Sequence, residues 1–370
     1  MQGAGAINRL GDYLQAIGQR PLIIADDVVW GFAGPQVAAS LERFGLAVHR
    51  EEFRGRTTAE EIRRIAAVVS ASGSDVVVGL GGGSTIDTAK AAGDEAGVRW
   101  VIVPTTASTD APTSAVVVLH GEQGESAGAR LLPRNPDLVL VDSQFIANAP
   151  VSLFIAGIGD ALSTWLETRL SYSTNSIVPA GGVASLAALA LAELSWKVLH
   201  DHALAAVESV RRHEVTEDVE RVIEANILLS GLGFESGGLA AAHAVHDGLT
   251  VAPATRGLHH GEKVNIGSIV QLILEGRPES EIDDFIVFTA EIGLPTSLTE
   301  IGLSPEDKPQ LRNVAEIATK PQKYIHNLPY PVTPEEVVDA LVAVEAASIR
   351  ARNAPVLLTP ADRSAEGEAP

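Results

Sequence analysis

A chain of 370 residues in which 46% are hydrophobic is long enough to form two domains, each with its own buried core. It has no cysteine, which excludes disulfides, thiolate metal sites and a cysteine nucleophile, and leaves carboxylate oxygens and imidazole nitrogens as metal ligands. The formal net charge of −20 opposes binding to nucleic acid or to an anionic membrane, and we expect a cytoplasmic protein.

The chain before residue 150 alternates short β-branched runs with stretches of helical length. We predict parallel strands at residues 21–25, 46–49, 75–80, 100–104 and 138–142. Because neighbouring parallel strands need a crossover connection, the intervening stretches are predicted to be helices that cover both faces of the sheet. This pattern predicts an α/β nucleotide-binding domain over residues 1–150.

Two acidic residues, Asp26 and Asp27, follow the first predicted strand. A carboxylate at the end of a strand can accept hydrogen bonds from an adenosine ribose and repel a 2′-phosphate. An acidic pair in this place can also cap a helix or lie in a solvated turn, and the sequence leaves these interpretations open.

A glycine-rich run, GLGGGSTIDTAK, starts at Gly79 directly after an apolar predicted strand and opens a helix. Glycines allow the backbone to approach a pyrophosphate, and free N–H groups at the start of a helix bind its negative oxygens. The run matches neither GxGxxG nor the Walker A motif, since no lysine precedes the threonine. A plain strand-to-helix turn is the alternative.

The segment PTTASTDAPTSA, which starts at Pro104, follows the fourth predicted strand. Its hydroxyl groups are expected at the carboxyl edge of the sheet, where they can contact the ribose, pyrophosphate and nicotinamide of a dinucleotide. The alternative is a capped loop in which Asp110 forms only an Asx turn.

After residue 150 the hydrophobic period changes to 3.6, with helices predicted near residues 155–170, 180–200, 217–232, 262–275 and 334–350. Residues 151–353 are therefore predicted to form an all-helical domain. Residues 354–370 are rich in Pro, Ala, Glu and Ser without apolar periodicity, and we predict a flexible tail. The cleft between the two domains is the expected place for chemistry.

The helical half contains acidic and imidazole side chains in apolar surroundings. Asp160 lies in GIGDAL at the predicted start of a helix, where it caps the helix or binds a cation. His243 and His246 are three residues apart and share a helix face. His259 and His260 precede a further helix. Any one of these histidines is more often an ordinary polar residue, but together with Asp160 they form a plausible Asp/His/His metal site with positions left open for substrate.

Motifs throughout the chain resemble those of glycerol dehydrogenases, a branch of the iron-containing alcohol dehydrogenase superfamily. The motifs are GGGSTIDTAK, VPTTASTDAPTSA, LPRNPDLVLVD, AGIGDAL, SGLGFESGGLAAAHAVHDG, LHHGEKV and IHNLPYPVTPEEV. The resemblance implies an N-terminal Rossmann-like parallel sheet domain and an all-α C-terminal domain, the dehydroquinate synthase-like architecture. It also implies an enzyme that uses NAD and a divalent metal to oxidise glycerol to dihydroxyacetone, acts on related vicinal diols, and assembles as a homo-octamer.

The resemblance also implies roles for individual residues. Asp160, His243 and His260 match the metal ligands, and Zn²⁺ is the expected ion with Fe²⁺ next, because both suit a carboxylate with two imidazoles. Asp110 would accept a hydrogen bond from a substrate hydroxyl, and His246 would lie beside the nicotinamide. The residues expected to line the dinucleotide are Asp26, Gly82, Gly83, Ser84, Thr85, Asp87, Thr105, Thr106, Ala107, Ser108, Ser114, Val116 and His120.

The chain departs from the family pattern at three positions: Ser84 often corresponds to Lys, His120 to Tyr, and Asp247 to Asn. These differences leave the exact polyol open.

Two other functions compete with the polyol dehydrogenase. A sugar-phosphate enzyme of the same superfamily, such as a glycerol-phosphate dehydrogenase, needs cationic side chains, for which Arg256 and Lys263 are the candidates near the motifs. A binding or sensor protein that has lost turnover would not need the complete Asp/His/His set.

Overall fold

The computed structural model describes residues 1–121 and 126–353. Its strands are β1 (Pro21–Ala25), β2 (His49–Glu52), β3 (Val76–Gly81), β4 (Arg99–Pro104), β5 (Val116–His120), β6 (Ser126–Leu131) and β7 (Leu138–Val139). The helices of the first half are α1 (Leu10–Leu14), α2 (Asp27–Glu42), α3 (Ala59–Ser72), α4 (Gly83–Glu95) and α5 (Ser143–Asn148). The helices of the second half are α6 (Val151–Ser173), α7 (Leu186–Arg211), α8 (Glu217–Glu224), α9 (Ser230–Gly237), α10 (Ala241–Leu249), α11 (His260–Leu274), α12 (Glu279–Ile292), α13 (Lys308–Ala318) and α14 (Pro334–Asn353).

Five strands form a parallel sheet in the order β2–β1–β3–β4–β7, which confirms the predicted sheet. Successive residues of its buried strands point to opposite faces. Ile23 and Val78 pack with residues of α1 and α2 on one face, whereas Leu22 and Val77 pack with residues of α3 and α4 on the other. The loops that follow β1, β3 and β4 therefore meet at the carboxyl edge of the sheet.

The second strand differs from the prediction. It covers His49–Glu52, three residues later than the predicted 46–49, and it pairs with β1 at the edge of the sheet. Leu46 lies before the strand, and its side chain is buried in the core. Its apolar character therefore reflects packing in the connection before β2 and not membership of the strand. An edge strand tolerates charged residues, which is why the sequence HREE carried no apolar signal.

Two further differences lie beyond the fourth strand. The last strand of the sheet covers Leu138–Val139 and not the full predicted 138–142, because Val141 instead forms a parallel bridge with Gln2. The antiparallel hairpin of β5 and β6 was not predicted. Its second strand has the sequence SAGARL, which lacks the β-branched residues that indicate strands.

The second half consists of α6 to α14 and their connections, as the 3.6-residue period predicted. The helix predicted near 217–232 is divided into α8, a π-helical turn over Ala225–Leu229, and α9. The two helices α12 and α13 were not among those predicted. The proposed boundary at residue 150 lies directly before α6, and the predicted tail at 354–370 lies outside the described residues.

The centre of the helical half is α6, which is buried along most of its length by α7, α9 and α11. Phe154, Ile158, Leu162 and Leu166 of this helix are at most 2% exposed. A polar side chain in the middle of α6, such as that of Asp160, is therefore surrounded by protein. Within residues 1–121 and 126–353, no helix has the length and apolar character needed to cross a bilayer.

Candidate active site

A cleft of about 1170 Å³ lies between the sheet half and the helical half. Ser84, Val116 and His120 line it from the sheet half, and so does Asp110 from the loop after β4. The lining residues from the helical half include three of the predicted site residues, His243, His246 and His260. The fold thus brings residues that are far apart in the sequence to one cavity.

Three side chains form a compact group at the base of this cleft. Asp160 Oδ1 lies 3.0 Å from His260 Nε2 and 3.5 Å from His243 Nε2. Asp160 is 1% exposed, and no residue in the described part of the chain forms a hydrogen bond with its Oδ1. Because a buried carboxylate oxygen without a donor is costly, and two imidazole nitrogens face the same point, the donor set fits a divalent cation.

Each ligand comes from a different helix. Asp160 is the tenth residue of α6, so the predicted alternative that it caps a helix start is wrong. His243 lies in the first turn of α10, and His260 is the first residue of α11. Asp160 was predicted at a helix start because the glycines before it break the apolar pattern, but α6 continues through them.

These glycines are needed for close packing. A Cβ atom on Gly157 would lie 1.7 Å from the carbonyl oxygen of Ala107, and one on Gly261 would lie 1.7 Å from that of Ala156. Any side chain at either position would therefore push α6 away from α11 or from the loop after β4. The motifs around Asp160 and His260 thus supply the candidate ligands, and their glycines also allow the close packing of α6 against its neighbours.

The charges around the site favour a bound cation. Burial alone would raise the pKa of Asp160, but His260 and His243 hold it well below its usual value. Burial and then the nearby Asp160 raise the pKa of Asp110 well above its usual value. For His243, burial would lower the pKa, but Glu167 and Asp160 raise it well above normal. The carboxyl groups thus stabilise positive charge at this point, which a divalent ion supplies.

Asp110 connects the sheet half to the metal group. Its backbone N–H donates to Asp160 Oδ2 at 3.3 Å, and its Oδ2 accepts from the Ser230 hydroxyl at 3.0 Å. The preceding loop is held by Asn226, which donates to the Ala107 carbonyl at 3.1 Å. The carboxyl group of Asp110 is therefore fixed at the wall of the cleft, beside the candidate ligands.

His246 lies against His260, with their ring centroids 4.2 Å apart. Burial, and then the charge of His260, lower the pKa of His246 to about 3, so the imidazole is neutral near pH 7. Its Nδ1 is 3.3 Å from Asp247 Oδ1, and Asp247 Oδ2 forms a 2.6 Å ion pair with Lys323. The departure from the family pattern at Asp247 is thus matched by a cation that compensates its charge.

The glycine run forms the turn between β3 and α4. A Cβ atom on Gly81 would lie 2.6 Å from Thr85 Oγ1, so the turn is too tight for a side chain there. At Gly82, the N-cap of α4, the nearest atom to a Cβ is Thr106 Oγ1 at 3.8 Å. The start of α4 therefore presents free N–H groups beside the hydroxyls of the loop after β4, an arrangement suited to a pyrophosphate.

A buried ion pair fastens that loop to α4. Lys90 is fully buried, and its Nζ lies 2.8 Å from Asp87 Oδ1. The same ammonium donates to the carbonyls of Ser114 and Val116, and Asp87 Oδ2 accepts from the Val118 N–H at 2.9 Å. Protein groups thus engage Asp87, and its contact with the dinucleotide stays a prediction.

Of the three interpretations of Asp26, the helix cap is present in the structure. Its Oδ1 accepts from the Val29 N–H at 2.8 Å at the start of α2. The neighbouring Asp27 pairs with Arg50 at 2.6 Å. A ribose contact by Asp26 stays a prediction, because the cap does not exclude it.

Sequence reasoning missed three residues that support the site, namely Glu167, Lys90 and Lys323. Glu167 is fully buried on α6, with Oε2 2.5 Å from His243 Nδ1. Its signal was its spacing: it follows Asp160 by seven residues and so shares that residue's helix face. Lys323 gave no such signal, because it lies in a loop distant in sequence from Asp247.

Comparison with known proteins places these features in a family. A family profile described as "Iron-containing alcohol dehydrogenase" matches residues 1–143. A glycerol dehydrogenase of Escherichia coli O6:H1 is 44% identical over 93% of this chain and 94% of its own length. A glycolaldehyde reductase of Halobacterium salinarum is 42% identical over 95% of this chain and 97% of its own. The crystal structure of glycerol dehydrogenase from Schizosaccharomyces pombe superposes with a TM-score of 0.91 at 35% identity, covering 100% of this chain and 91% of that one. The chain belongs to the glycerol dehydrogenase branch of the iron-containing alcohol dehydrogenase family.

Proposed function

We propose that this chain uses NAD to oxidise glycerol to dihydroxyacetone and also acts on related vicinal diols. The observation that carries the proposal is the unpartnered Asp160 Oδ1 facing His243 and His260, in one cleft with the glycine loop. The family to which the chain belongs implies NAD and a divalent metal ion as cofactors. The products would be the ketone, NADH and one proton.

In this proposal the metal ion is held by Asp160, His243 and His260. When bound, a divalent ion acts as a Lewis acid that lowers the pKa of a substrate hydroxyl, and NAD accepts the hydride. Zn²⁺ is the proposed ion, with Fe²⁺ next, since both accept one carboxylate and two imidazoles. Elemental analysis of the purified protein tests the identity, and chelation should abolish turnover while leaving NAD binding intact.

The dinucleotide is proposed to lie along the carboxyl edge of the sheet. Gly82 and Gly83 would present backbone N–H groups to the pyrophosphate, and Asp26 would meet the adenosine ribose. The remaining proposed contacts are Ser84, Thr85, Thr105, Thr106, Ala107, Ser108, Ser114, Val116 and His120. His246 would lie beside the nicotinamide, where its neutral ring can accept a proton or a hydrogen bond.

Asp110 is proposed to select polyols. Its carboxyl group lies beside the candidate metal ligands, so it can accept a hydrogen bond from a second hydroxyl of the substrate. Comparison of kcat/KM for glycerol, 1,2-propanediol, 1-propanol and ethanol tests this role. The diols should be faster than the monohydric alcohols, and the opposite order would refute the polyol assignment.

The competing sugar-phosphate function has one observation in its favour. Arg256 and Lys263 both line the cleft, and Lys263 Nζ donates only to the Leu258 carbonyl, at 2.9 Å, among the described hydrogen bonds. Turnover of glycerol phosphate in preference to glycerol would establish this alternative. Absence of NAD reduction with every polyol, in protein loaded with metal, would instead indicate a binding protein.

The assembly and location are part of the same proposal. A homo-octamer is proposed from the family resemblance, and the exposed side chains of Ile177, Val183 and Leu186 offer apolar surface for contacts between subunits. Light scattering on the purified protein tests the octamer. The cytoplasmic location stays a prediction, which cell fractionation would check.

A further inference from the structure

Two side chains from other helices hold the start of α10, the helix that carries His243. Glu167 Oε1 accepts the N–H groups of Ala240 and His243, at 2.7 and 3.0 Å. Gln271 Oε1 accepts the N–H groups of the two residues between them, at 3.0 and 3.1 Å. Ala240, the N-cap residue, has no side chain that could do this. The first N–H groups of α10 are therefore satisfied entirely by α6 and α11.

The same two helices supply the other two candidate metal ligands. Glu167 follows Asp160 by seven residues on α6, and Gln271 follows His260 by eleven residues on α11. At about 100° per residue, each pair lies within roughly 20° of one direction on its helix. One face of each helix thus carries a ligand and a side chain that fixes the third ligand's helix.

Glu167 makes one contact that Gln271 does not. Its second oxygen, Oε2, lies 2.5 Å from His243 Nδ1, and the residue is fully buried. A carboxylate can only accept hydrogen bonds, so Nδ1 must donate the proton. With Nδ1 occupied in this way, a metal ion would bind the opposite ring nitrogen, Nε2, which lies 3.5 Å from Asp160 Oδ1.

We propose that Glu167 is a positioning residue that holds His243 in its metal-binding tautomer and orientation. This inference rests on the metal site of the proposed function. It assigns to Glu167 a role beyond capping α10, because capping alone would not require the contact with the imidazole.

Replacement of Glu167 by glutamine tests the positioning role directly. Glutamine has almost the same shape, but it has one oxygen acceptor and one NH₂ donor where glutamate has two acceptors. If the oxygen keeps the backbone N–H groups, the NH₂ group meets His243 Nδ1 and favours the tautomer with the proton on Nε2. If the amide is reversed, its NH₂ group meets two backbone donors. The first arrangement therefore weakens metal binding, and the second destabilises the start of α10.

The experiment compares Glu167→Gln with Gln271→Ala, which removes the other cap of α10 without touching His243. Zn²⁺ affinity is measured by competition with a chromophoric chelator, and thermal unfolding and NAD binding are measured on the same samples. Glu167→Gln should weaken Zn²⁺ binding by about 10- to 100-fold. Gln271→Ala should lower the unfolding temperature yet keep Zn²⁺ affinity within about threefold, since no ligand tautomer changes. NAD affinity should stay unchanged in both.

The wild-type protein gives a test that does not depend on the folding of a variant. In ¹⁵N-histidine NMR of the Zn²⁺-loaded protein, His243 should show a protonated Nδ1 and an unprotonated Nε2. A protonated Nε2, or wild-type Zn²⁺ affinity in Glu167→Gln, would overturn the positioning role. Equal losses of Zn²⁺ affinity in the two variants would show that Glu167 acts only as a cap of α10, and would also overturn the positioning role. Failure of the wild type to bind Zn²⁺ stoichiometrically would instead overturn the proposed metal site.

Discussion

The two walls of the cleft are built in different ways. The sheet wall is made by backbone: a turn that requires glycine between β3 and α4, and a loop tied down by the buried Lys90. The helical wall is made by side chains from α6, α10 and α11. Asp160, His243 and His260 each contribute one candidate ligand atom, and these atoms all lie within 4.8 Å of one another. Local sequence thus determines the glycine turn of the first wall, whereas the second wall exists only after three helices have packed.

This difference predicts that metal binding and dinucleotide binding can be lost independently of each other. A change in the helical wall should remove the metal and leave the dinucleotide bound, and a change in the sheet wall should do the reverse. The loop carrying Asp110 is where the walls touch, through its N–H bond to Asp160. Changes at increasing distance from the metal should therefore have decreasing effects on the reaction.

The largest effect is expected for Asp160→Ala. Loss of the carboxylate that both imidazoles face should remove the metal and lower kcat/KM for glycerol by roughly 10³-fold or more. NAD affinity should not change, because the glycine loop does not involve this residue. Elemental analysis, steady-state kinetics and NAD titration measure the three quantities. His259→Ala is the control and should keep both metal and activity; an Asp160→Ala protein with full metal content would contradict the site.

A complementary change in the sheet wall is Gly82→Ala. The new methyl group would lie 3.8 Å from its nearest neighbour, Thr106 Oγ1, so the fold should accept it. It would nevertheless occupy space beside the N–H groups at the start of α4, and we expect KM for NAD to rise by about tenfold or more. Metal content should stay at the wild-type level. Gly31→Ala should leave both unchanged, because a Cβ atom there would have no atom from elsewhere in the described chain within 4 Å. An unchanged KM in Gly82→Ala would argue against a pyrophosphate at this turn.

Cofactor choice depends on a single carboxylate in the sheet wall. Asp26→Ser keeps a residue that caps helices well but removes the charge that would repel a 2′-phosphate. The ratio of kcat/KM for NADP over NAD should rise by about tenfold or more, with no loss of thermal stability. Asp27→Ser removes the adjacent charge, which already pairs with Arg50, and should change the ratio much less. Equal ratios in the two variants would show that Asp26 does not contact the ribose.

The smallest effect concerns pH and the residue at 120. Burial lowers the pKa of His120 below its usual value of 6.5, and its Nδ1 has no hydrogen-bond partner among residues 1–121 and 126–353. The unfolded chain therefore binds a proton more readily, so stability is full above about pH 6.5 and falls as the pH drops below it. Tyrosine, the residue frequent in the family, does not titrate in this range. His120→Tyr should show a smaller drop in unfolding temperature between pH 7.5 and 5.5 than the wild type, measured without NAD.

Much of the architecture could be predicted from the sequence, and the errors at β2 and β6 have related causes. Apolar runs predicted the buried strands because burial on both faces demands continuous apolar residues. The same signal placed β2 three residues early, since Leu46 is apolar for packing and the edge strand is polar. Strand β6 was missed for a related reason, because its sequence SAGARL has no β-branched residue. Strand β5 has the β-branched sequence VVVLH, so its own residues did carry a strand signal that the prediction left out.

For the site itself, the sequence by itself supplied the residue types and the family. The glycine turn, Asp160 and His243 could be named because each stands out locally against apolar or small neighbours, and His260 could be named because its motif LHHGEKV resembles that of the family. Only the tertiary structure decided that Asp160 is interior to α6, that Glu167 accepts from His243, and that Lys323 compensates Asp247. Both of these side-chain contacts join residues 76 positions apart in the sequence. No short window of sequence contains both partners, so helix packing determines them.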